Sequence, residues 1–450
     1  MTKARRDGLY LMLIGCAVFL FLGSALERLS PASMIDFKVH YFGARCLLEH
    51  CDPYKQSDVL RIYDAEGGHG PAETLGSRLS ATRFVYQPTI FLFTAPLAML
   101  KFGPAEELWM LLTLSSVILA SFLLWSLAGE DAPLISALLI AFMLANSELL
   151  VITGNPSGIA IGLCIIAVWC LVKERCVPAG ALCLAVSLLV KPHSVGFIWL
   201  YFLLSGGVYR KRAIQTLALV VLLGLPTVLW VTHLSPHWIP ELRATLSSVS
   251  AHGGPDDPGP ASSGGHGISM MINLQTILSL IRDDPRFYNP ATYFLCGVLL
   301  LAWSLKTLRL RATPTNAWLA LASVAPLSLL PVYHRQGDAL LLLLSVPACT
   351  MLWAEVGRIA RSALLVTAAG FAFTGDITWA IIHGIINNLH LTMTRQAWQI
   401  LTVIQILPAP LILLVMAIFY LWAKMRYEQI PVFAQKHEIV NAAPAVQIKA

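Results

Sequence analysis

Long apolar runs are the feature that most limits how this chain of 450 residues can fold. Runs of about 20 apolar residues recur from end to end, and each can cross a hydrocarbon core ~30 Å thick. Only 12% of the residues are charged and 57% are hydrophobic, so the charged surface that a soluble protein of this length needs is missing. In a bilayer, such segments satisfy their backbone groups as helices. We therefore predict an all-α polytopic membrane protein.

Twelve of these runs are predicted to span the membrane, and only two long connections lie between them. The predicted spans are 9–26, 84–101, 106–128, 132–151, 156–172, 178–204, 213–232, 289–306, 315–331, 338–354, 361–383 and 399–423. Because many spans follow the first, it is not interpreted as a cleaved signal peptide. Residues 1–430 are treated as one membrane domain, and 431–450 as a flexible cytoplasmic tail.

Basic residues at the span ends predict the orientation. Lys3, Arg5 and Arg6 precede the first span, so a multi-pass protein of the inner (plasma) membrane with both termini in the cytoplasm is expected. Alternation of the spans puts four further basic clusters inside: Arg210-Lys211-Arg212, Lys306 with Arg309 and Arg311, Arg358 with Arg361, and Lys424 with Arg426. One cluster, Lys173-Glu174-Arg175, falls outside, which a re-entrant fifth or sixth span would explain. These loops account for the net charge of +6, so no nucleic-acid partner is expected.

The two long connections, about 27–83 and 233–288, both fall on the outer side. Transporters usually keep their binding sites at the bilayer midplane, whereas the polar residues here gather at one face. This asymmetry favours an enzyme whose active site opens at the outer interface. Two alternatives stay open. One is a transporter or flippase of a lipid-linked glycan or other solute, which twelve spans would suit, and the other is an outer-face glycan ligase.

The first outer connection combines an acid with an apolar stripe. Apolar residues recur there at helical spacing: Phe37, Tyr41, Ala44, Leu48 and Cys51. This spacing predicts an amphipathic helix that lies flat on the membrane surface. Asp36 stands at the head of the helix. In that position it either takes a proton from a substrate as a general base or only caps the helix.

The second outer connection is predicted in three parts. Residues 233–250 are mixed and suit a helix, and 251–267 are rich in Gly, Pro and Ser and suit a flexible loop. Residues 268–282 return to a helix with a polar stripe, formed by Ser269, Asn273, Thr276 and Ser279. This connection is either a tethered surface helix or a lid that orders when a lipid substrate binds.

Charged residues within or beside the spans are costly and need a reason. Lys191 precedes Pro192, which breaks the helical hydrogen bonding, and a lysine at such a break either binds a phosphate or reaches to the interface. His334 and Arg335, with Asp338, fall at the outer mouth between the ninth and tenth spans. Two cationic groups there would hold a phosphate leaving group, or they belong to a solvated loop.

The remaining polar residues predict no metal or nucleotide site. Glu148 and Asn155 fall near the inner ends of spans four and five, where a structural role is expected. Cys46 and Cys51 both face outward, and whether they form a disulfide stays open. The chain has no Walker loop, no Rossmann fingerprint after a strand and no His-Glu-x-x-His motif. No metal and no cofactor are therefore expected.

Several short motifs, in order along the chain, resemble glycosyltransferase family 87. The first of these are Asp36-Phe37-x-x-x-Tyr41, Leu47-Leu48-x-x-x-Asp52-Pro53-Tyr54, and Tyr86-Gln87-Pro88 with Pro96-Leu97. Further along come Gly154-Asn155 where the family often has Gly-Gln, Lys191-Pro192, Asn273 with Thr276-Ile277-Leu278, and His334. The chain departs from the family pattern at Asn155 and at Arg335-Gln336-Gly337. The family comprises C-type (GT-C) membrane glycosyltransferases, which include mycobacterial polyprenyl-phosphomannose-dependent α-1,2-mannosyltransferases.

This resemblance implies a fold, an activity and a set of site residues. The fold would be a GT-C-like bundle, and the activity would be inverting transfer of a sugar, expected to be mannose, from a polyprenyl-phosphate carrier to a lipid or glycan acceptor. The partners would be that lipid-linked sugar as co-substrate, the acceptor and membrane lipids, and the site would face the periplasm or exterior. The residues implied are Asp36 as general base, Lys191, His334 and Arg335 at the donor phosphate, and Tyr41, Tyr86 and Asn273 at the substrate.

Overall fold

The computed structural model describes residues 2–30, 33–66, 75–259, 271–309, 313–355, 357–377 and 407–427, together with Ser262 and Thr394. Within these ranges every regular element is a helix, which confirms an all-α polytopic membrane protein. Ser269, the predicted tail 431–450 and the last six residues of span 361–383 lie outside the described residues.

Seven helical runs of the described chain are long and apolar enough to cross a membrane. They are α1 (Lys3–Leu29), α6 (Phe102–Ala128), Pro133–Thr153, which holds α7 (Pro133–Leu144) and α8 (Leu149–Thr153), α12 (Gly207–Leu234), α15 (Pro285–Arg309), Gln336–Ala354, which joins a 3-10 helix (Gln336–Ser345) to α17 (Val346–Ala354), and α19 (Pro408–Tyr427). Shorter helices pack between them: α9 (Ser157–Val172), α10 (Val177–Val190), α11 (Pro192–Leu204), α16 (Pro314–Ser328) and α18 (Arg358–Thr374).

A group of short helices covers one end of this bundle. It consists of α2 (Ile35–Leu48), α3 (Gln56–Ala65), α4 (Leu75–Ala81), a 3-10 turn (Pro88–Ile90), α5 (Phe91–Ala98), α13 (Trp238–Val249) and α14 (Leu274–Ile281). We call this end of the molecule the capped end. The opposite end, where the basic residues at the starts of α1 and α12 lie, is called the basic end.

Helices α1 and α7 run parallel, which corrects the predicted path of the chain. Gly8 lies against Pro133, Gly15 against Ala141 and Gly23 against Val151, so residue numbers rise together along both helices. Two parallel neighbours need one crossing between them in the opposite direction, and α6 supplies it. The predicted span 84–101 is therefore wrong as a crossing.

The contacts of segment 84–101 show where it lies instead. The Tyr41 hydroxyl donates to the Leu100 carbonyl over 2.8 Å, and the Arg45 guanidinium donates to the Ala98 carbonyl over 3.1 Å. The segment thus forms the short helix α5, enters the capped end and stays against α2. Its buried apolar side chains, among them Phe84, Phe91 and Leu97, pack against protein, which composition does not distinguish from lipid.

The predicted span 178–204 is likewise two helices, α10 and α11, which meet at Lys191. The turn after α9 lies at the basic end, because Arg212 at the start of α12 donates to the Leu171 carbonyl over 2.6 Å and lies 3.3 Å from Glu174. One crossing is removed at 84–101 and one is added within 178–204, so the number of crossings after residue 204 is the same as predicted. Lys173-Glu174-Arg175 now lies beside Arg212, so the basic cluster that broke the orientation rule no longer does. Glu148 and Asn155, which were placed at inner ends, lie at the capped end.

Helix α2 was predicted to lie flat on a membrane surface, and this prediction is wrong, because the helix is enclosed by protein. Nine of its fourteen residues are buried, and His40, which is not part of the apolar stripe, is fully buried as well. Phe37 stacks on Trp109 with ring centroids 5.0 Å apart. Met34, with a left-handed φ of 52°, occupies the N-cap position, so Asp36 lies in the first helical turn and is not the capping residue.

The C-terminal end of α2 is closed by a disulfide between Cys46 and Cys51, which settles the open question about these cysteines. In the second outer connection, α14 is shorter than the predicted helix 268–282 and its N-cap is Asn273. Just before it, the Ile272 amide donates to the His334 carbonyl over 3.0 Å. This pairing ties the second connection to the segment that leads into the 3-10 helix Gln336–Ser345.

Candidate active site

Asp338 organises a buried polar cluster beneath the capped end. It lies in the first turn of the 3-10 helix and is 1% exposed. Its Oδ1 accepts hydrogen bonds from Lys191 Nζ at 2.7 Å, from Ser157 Oγ at 2.7 Å and from Ser194 Oγ at 3.3 Å. Its Oδ2 accepts from the Arg335 amide at 3.2 Å. Four donors of this kind offset much of the cost of burying a carboxylate.

Lys191 reaches this cluster because the chain breaks at its position. Pro192 has no N–H, so the helical ladder of α10 ends at Lys191 and α11 starts afresh. The Lys191 side chain is only 7% exposed, and its ammonium donates to Ser157 Oγ over 2.6 Å as well as to Asp338. It therefore does not reach out to a membrane interface. The lysine and Asp338 form a buried ion pair at the end of the bundle that holds Asp36.

Asp36 joins the cluster through one amide. Asn155 Nδ2 donates to Asp36 Oδ2 over 2.7 Å. The other end of the amide, Asn155 Oδ1, accepts from the Ser157 amide at 2.9 Å and lies 2.6 Å from Ser157 Oγ. A continuous hydrogen-bonded series thus runs from Asp36 through Asn155, Ser157 and Asp338 to Lys191. We call these five residues the polar chain.

Arg335 lies between the polar chain and the surface of the capped end. Its guanidinium contacts Asp256 of the second outer connection at 3.0 Å and lies over the Tyr333 ring at 5.4 Å from the centroid. The side chain is 43% exposed, in contrast to that of Lys191. An exposed, charged guanidinium at this place is accessible to an anionic ligand that enters from the capped end.

His334 is buried beside His193, with ring centroids 5.2 Å apart. Its Nδ1 lies 3.0 Å from the Val332 carbonyl, which can only accept, so Nδ1 carries a proton. Burial lowers the pKa of His334, and the neutral ring then has a lone pair on Nε2. That atom has no hydrogen-bond partner among the described residues. His334 needs a second proton before it can donate to a phosphate.

Tyr86 and His40 form an aromatic pair next to Asp36. Their ring centroids are 4.1 Å apart, and both ring nitrogens of His40 are buried with no hydrogen-bond partner in the described part of the chain. Burial, together with Lys191, lowers the pKa of His40 to about 3, so the ring is neutral. Burial and the nearby Asp36 carboxylate raise the pKa of Tyr86 well above its ordinary value. The Tyr86 phenol is thus a neutral hydrogen-bonding group near the acid.

The structure brings most of the predicted site residues together and leaves two apart. Asp36 and Lys191 belong to the polar chain, and Tyr86, His334 and Arg335 lie next to it. The Tyr41 hydroxyl instead binds the Leu100 carbonyl in the α2–α5 interface. The Asn273 side chain accepts from the Thr276 amide at 3.3 Å as a helix cap, although its neighbour Ile272 pairs with His334.

Sequence reasoning gave Asn155 a structural role and missed three further residues of this site: Ser157, Ser194 and Asp256. One signal for Asn155 and Ser157 was available, because Asn155-Pro156-Ser157 follows a glycine and begins a helix, an arrangement typical of a capped turn. Asp338 was noticed as a charge at a span end, but its pairing with Lys191 depends on the fold and has no local signal.

A second polar cluster lies in the outer connection. His252, Asp257 and Asp283 bring their ligand atoms within 4.8 Å of one another, a spacing that a metal ion could use. The Asp257 oxygens already accept from the Gly253 amide at 2.6 Å, the Gly259 amide at 2.9 Å and the Tyr288 hydroxyl at 3.2 Å. These bonds explain the cluster as a brace of the loop.

Comparison with known proteins gives one match. The family model of glycosyltransferase family 87 matches residues 84–331, which is more than half of the chain. The matched range includes Tyr86, Asn155, Ser157 and Lys191, whereas Asp36 lies before it. No curated protein and no solved structure matches the chain.

Proposed function

The chain belongs to glycosyltransferase family 87, and from this premise we propose that it transfers a sugar, mannose in our expectation, from a polyprenyl-phosphate carrier to a lipid or glycan acceptor. The observation that carries the proposal is the polar chain. It connects an acid that suits a general base with a lysine that suits a phosphate, at one enclosed end of a membrane-embedded bundle.

Asp36 is the proposed base. The hydrogen bond from Asn155 occupies Oδ2, which leaves Oδ1 for the acceptor hydroxyl. Asp36 Oδ1 takes the hydroxyl proton while the hydroxyl oxygen attacks the anomeric carbon from the face opposite the phosphate. The bond between the anomeric carbon and the phosphate oxygen breaks, and its electron pair leaves with the polyprenyl phosphate. The configuration at the anomeric carbon is inverted.

Negative charge develops on the phosphate oxygen as this bond breaks, and the proposed stabilising groups are Lys191, Arg335 and His334. Preorganised cations in a site shielded from water are effective because they need no reorganisation during the reaction. The lipid-linked donor fits this end of the bundle, because its polyprenyl chain can lie among the bundle helices while its phosphate reaches Arg335. A nearby phosphate would also favour the protonated form of His334, which then donates from Nε2.

We expect the capped end to face the periplasm or exterior. All the basic clusters of the described chain that the prediction used, now including Lys173-Glu174-Arg175, lie at the opposite end, which the positive-inside rule assigns to the cytoplasm. The disulfide between Cys46 and Cys51 supports this orientation, because disulfides persist in oxidising compartments.

Cysteine labelling tests this orientation. In a variant without the free cysteines, a probe cysteine at Glu174, whose side chain is 64% exposed, should react with an impermeant maleimide only after the membrane is permeabilised. A probe at the exposed Arg61 should react in intact cells. The uncorrected path puts residue 174 outside, so labelling of Glu174→Cys in intact cells would contradict both the corrected path and the orientation.

Substitutions at the proposed phosphate site test the donor role. His334→Ala should lower turnover at saturating donor by at least ~10-fold, about 1.4 kcal/mol of barrier, because charge on the phosphate grows in the transition state. Arg335→Ala should have a smaller effect, since its side chain is 43% exposed and therefore better screened by water. Arg282→Ala is a matched control, because Arg282 pairs with Asp284 in the same outer connection. A rise in KM alone would make these residues ground-state binders.

The activity itself is tested with purified protein and a polyprenyl-phosphate sugar. Release of free polyprenyl phosphate in the presence of acceptor lipids supports a transferase. Movement of the intact donor across a vesicle membrane without release would indicate the flippase alternative. Mass spectrometry of the envelope lipids and glycans of a deletion strain would then identify the sugar and the acceptor.

A further inference from the structure

We infer that Asn155 and Ser157 are positioning residues that select which oxygen of Asp36 accepts the proton. The inference rests on the proposed function, because it concerns the residue proposed there as the base. It goes further by assigning a task to two residues that touch neither substrate in the proposed mechanism.

The orientation of the Asn155 amide is determined by its surroundings. The Ser157 backbone N–H can only donate, and it lies 2.9 Å from Asn155 Oδ1, so that atom is the oxygen. The NH₂ group must then face Asp36, 2.7 Å from Oδ2. A donor of this kind stabilises the charged form of a carboxylate and holds one of its oxygens in place. The other oxygen, Oδ1, is left as the base.

The turn that carries Asn155 is held by three separate contacts, two with the start of α2 and one with α6. The Met34 amide donates to the Ile152 carbonyl over 2.8 Å, and the Trp109 indole donates to the Gly154 carbonyl over 2.9 Å. Gly154 has φ of +65°, and a Cβ there would lie 2.6 Å from the Met34 sulfur, so only glycine allows this approach. Asn155 is therefore placed by rigid backbone on both sides of its hydrogen bond, as a positioning residue requires.

Ser157 ties this arrangement to the phosphate side of the site. Its hydroxyl has one proton, yet it lies 2.6 Å from Asn155 Oδ1 and 2.7 Å from Asp338 Oδ1, and it accepts from Lys191 at 2.6 Å. The proton can serve only one of the two acceptors at a time. The backbone N–H of Ser157 remains on Asn155 in either state, so the amide keeps its orientation when the hydroxyl turns.

The test is the titration of Asp36, measured without any substrate. Carbodiimides modify protonated carboxyl groups, so the extent of Asp36 modification against pH, measured by peptide mass spectrometry, gives its midpoint. In Asn155→Leu, which keeps the size and removes the donor, the midpoint should rise by about one pH unit. In Asn155→Asp it should rise further, because a second carboxylate then faces the first.

Other groups near Asp36 stay the same in all variants, so the difference isolates Asn155. On other elements these are Tyr86, Tyr333 and Arg335, and on α2 itself His40 one turn away. Thr153→Val is the matched control, since the Thr153 hydroxyl bonds to the Leu149 carbonyl within its own helix. In Thr153→Val the Asp36 midpoint and the melting temperature should equal those of the protein without substitutions.

Activity gives the second measurement. In Asn155→Leu the acidic limb of the profile of kcat/KM against pH should move to higher pH, by the same amount as the Asp36 midpoint. An unchanged midpoint in Asn155→Leu overturns the inference even if activity falls, since loss at all pH values would indicate only a structural role. The protein without substitutions could also show no transfer from any polyprenyl-phosphate sugar. If the Asp36 midpoint still moves in Asn155→Leu, the positioning of Asp36 is supported and the proposed function is refuted.

Discussion

Asp36→Asn is expected to lower the turnover of sugar transfer by ~10²–10⁴-fold, which is the usual contribution of a general base. The amide cannot take the acceptor proton. Its carbonyl oxygen can still accept the hydrogen bond from Asn155 Nδ2, which now goes to Asp36 Oδ2 over 2.7 Å, so the capped end should keep its structure. The effect should therefore appear in turnover and not in folding.

Purified protein in detergent allows both quantities to be measured. Turnover is followed by release of free polyprenyl phosphate, and folding by the melting temperature, with Asp58→Asn on α3 as a control for loss of a surface carboxylate in the same outer connection. Near-normal turnover of Asp36→Asn would show that another group, or none, removes the proton.

The second large effect concerns the buried pair of Lys191 and Asp338. In Lys191→Met the carboxylate loses its ammonium partner at 2.7 Å while it stays 1% exposed. Breaking a buried pair in this way typically costs about 3–5 kcal/mol, because the remaining charge is uncompensated. We expect a clear fall in melting temperature together with a loss of turnover of at least ~10-fold.

The double variant Lys191→Met/Asp338→Asn separates the two causes. Asn keeps the size of Asp338. Its carbonyl oxygen can accept from the Arg335 amide, and its NH₂ group can donate to the Ser157 hydroxyl, which in turn donates to Asn155 Oδ1, so most of the lost stability should return. Turnover should stay low, because the cation proposed for the phosphate is still absent. If the double variant regains transfer, Lys191 acts only as the partner of Asp338. If its stability equals that of Lys191→Met, the uncompensated charge of Asp338 is not the cause of the lost stability.

The class of the protein could be predicted from sequence because apolar run length is a direct consequence of bilayer thickness. Lys191 could be singled out for a similar reason, since a proline removes a backbone donor and so kinks or ends a helix. Asp36 was noticed at the head of a predicted helix and His334 at a span end, and the family resemblance then gave each of them a role. Each of these signals is local and needs no knowledge of what packs against the residue.

The path of the chain could not be predicted in the same way. Segment 84–101 is as apolar as a span, but its short helix Phe91–Ala98 packs beneath α2, and hydropathy does not tell protein from lipid. Residues 178–204 form two helices where one long helix was expected. Because the segment 84–101 was counted as a crossing, Asn155 was assigned to the wrong end of the bundle. Its hydrogen bond to Asp36, 119 positions away, was then out of reach of the argument.

The parallel contact of α1 with α7 has a consequence for how the protein is made. α1 leaves the ribosome about 100 residues before α7, a delay of ~5–20 s at ordinary rates of synthesis. During that time Gly8, Gly15 and Gly23 can face only lipid or other helices. A Cβ at Gly15 would lie 2.6 Å from the Ala141 backbone. A larger side chain at Gly15 should thus leave insertion of the first helix intact and stop the later joining of α1 to α7, so the newly made chain would be inserted but not assembled.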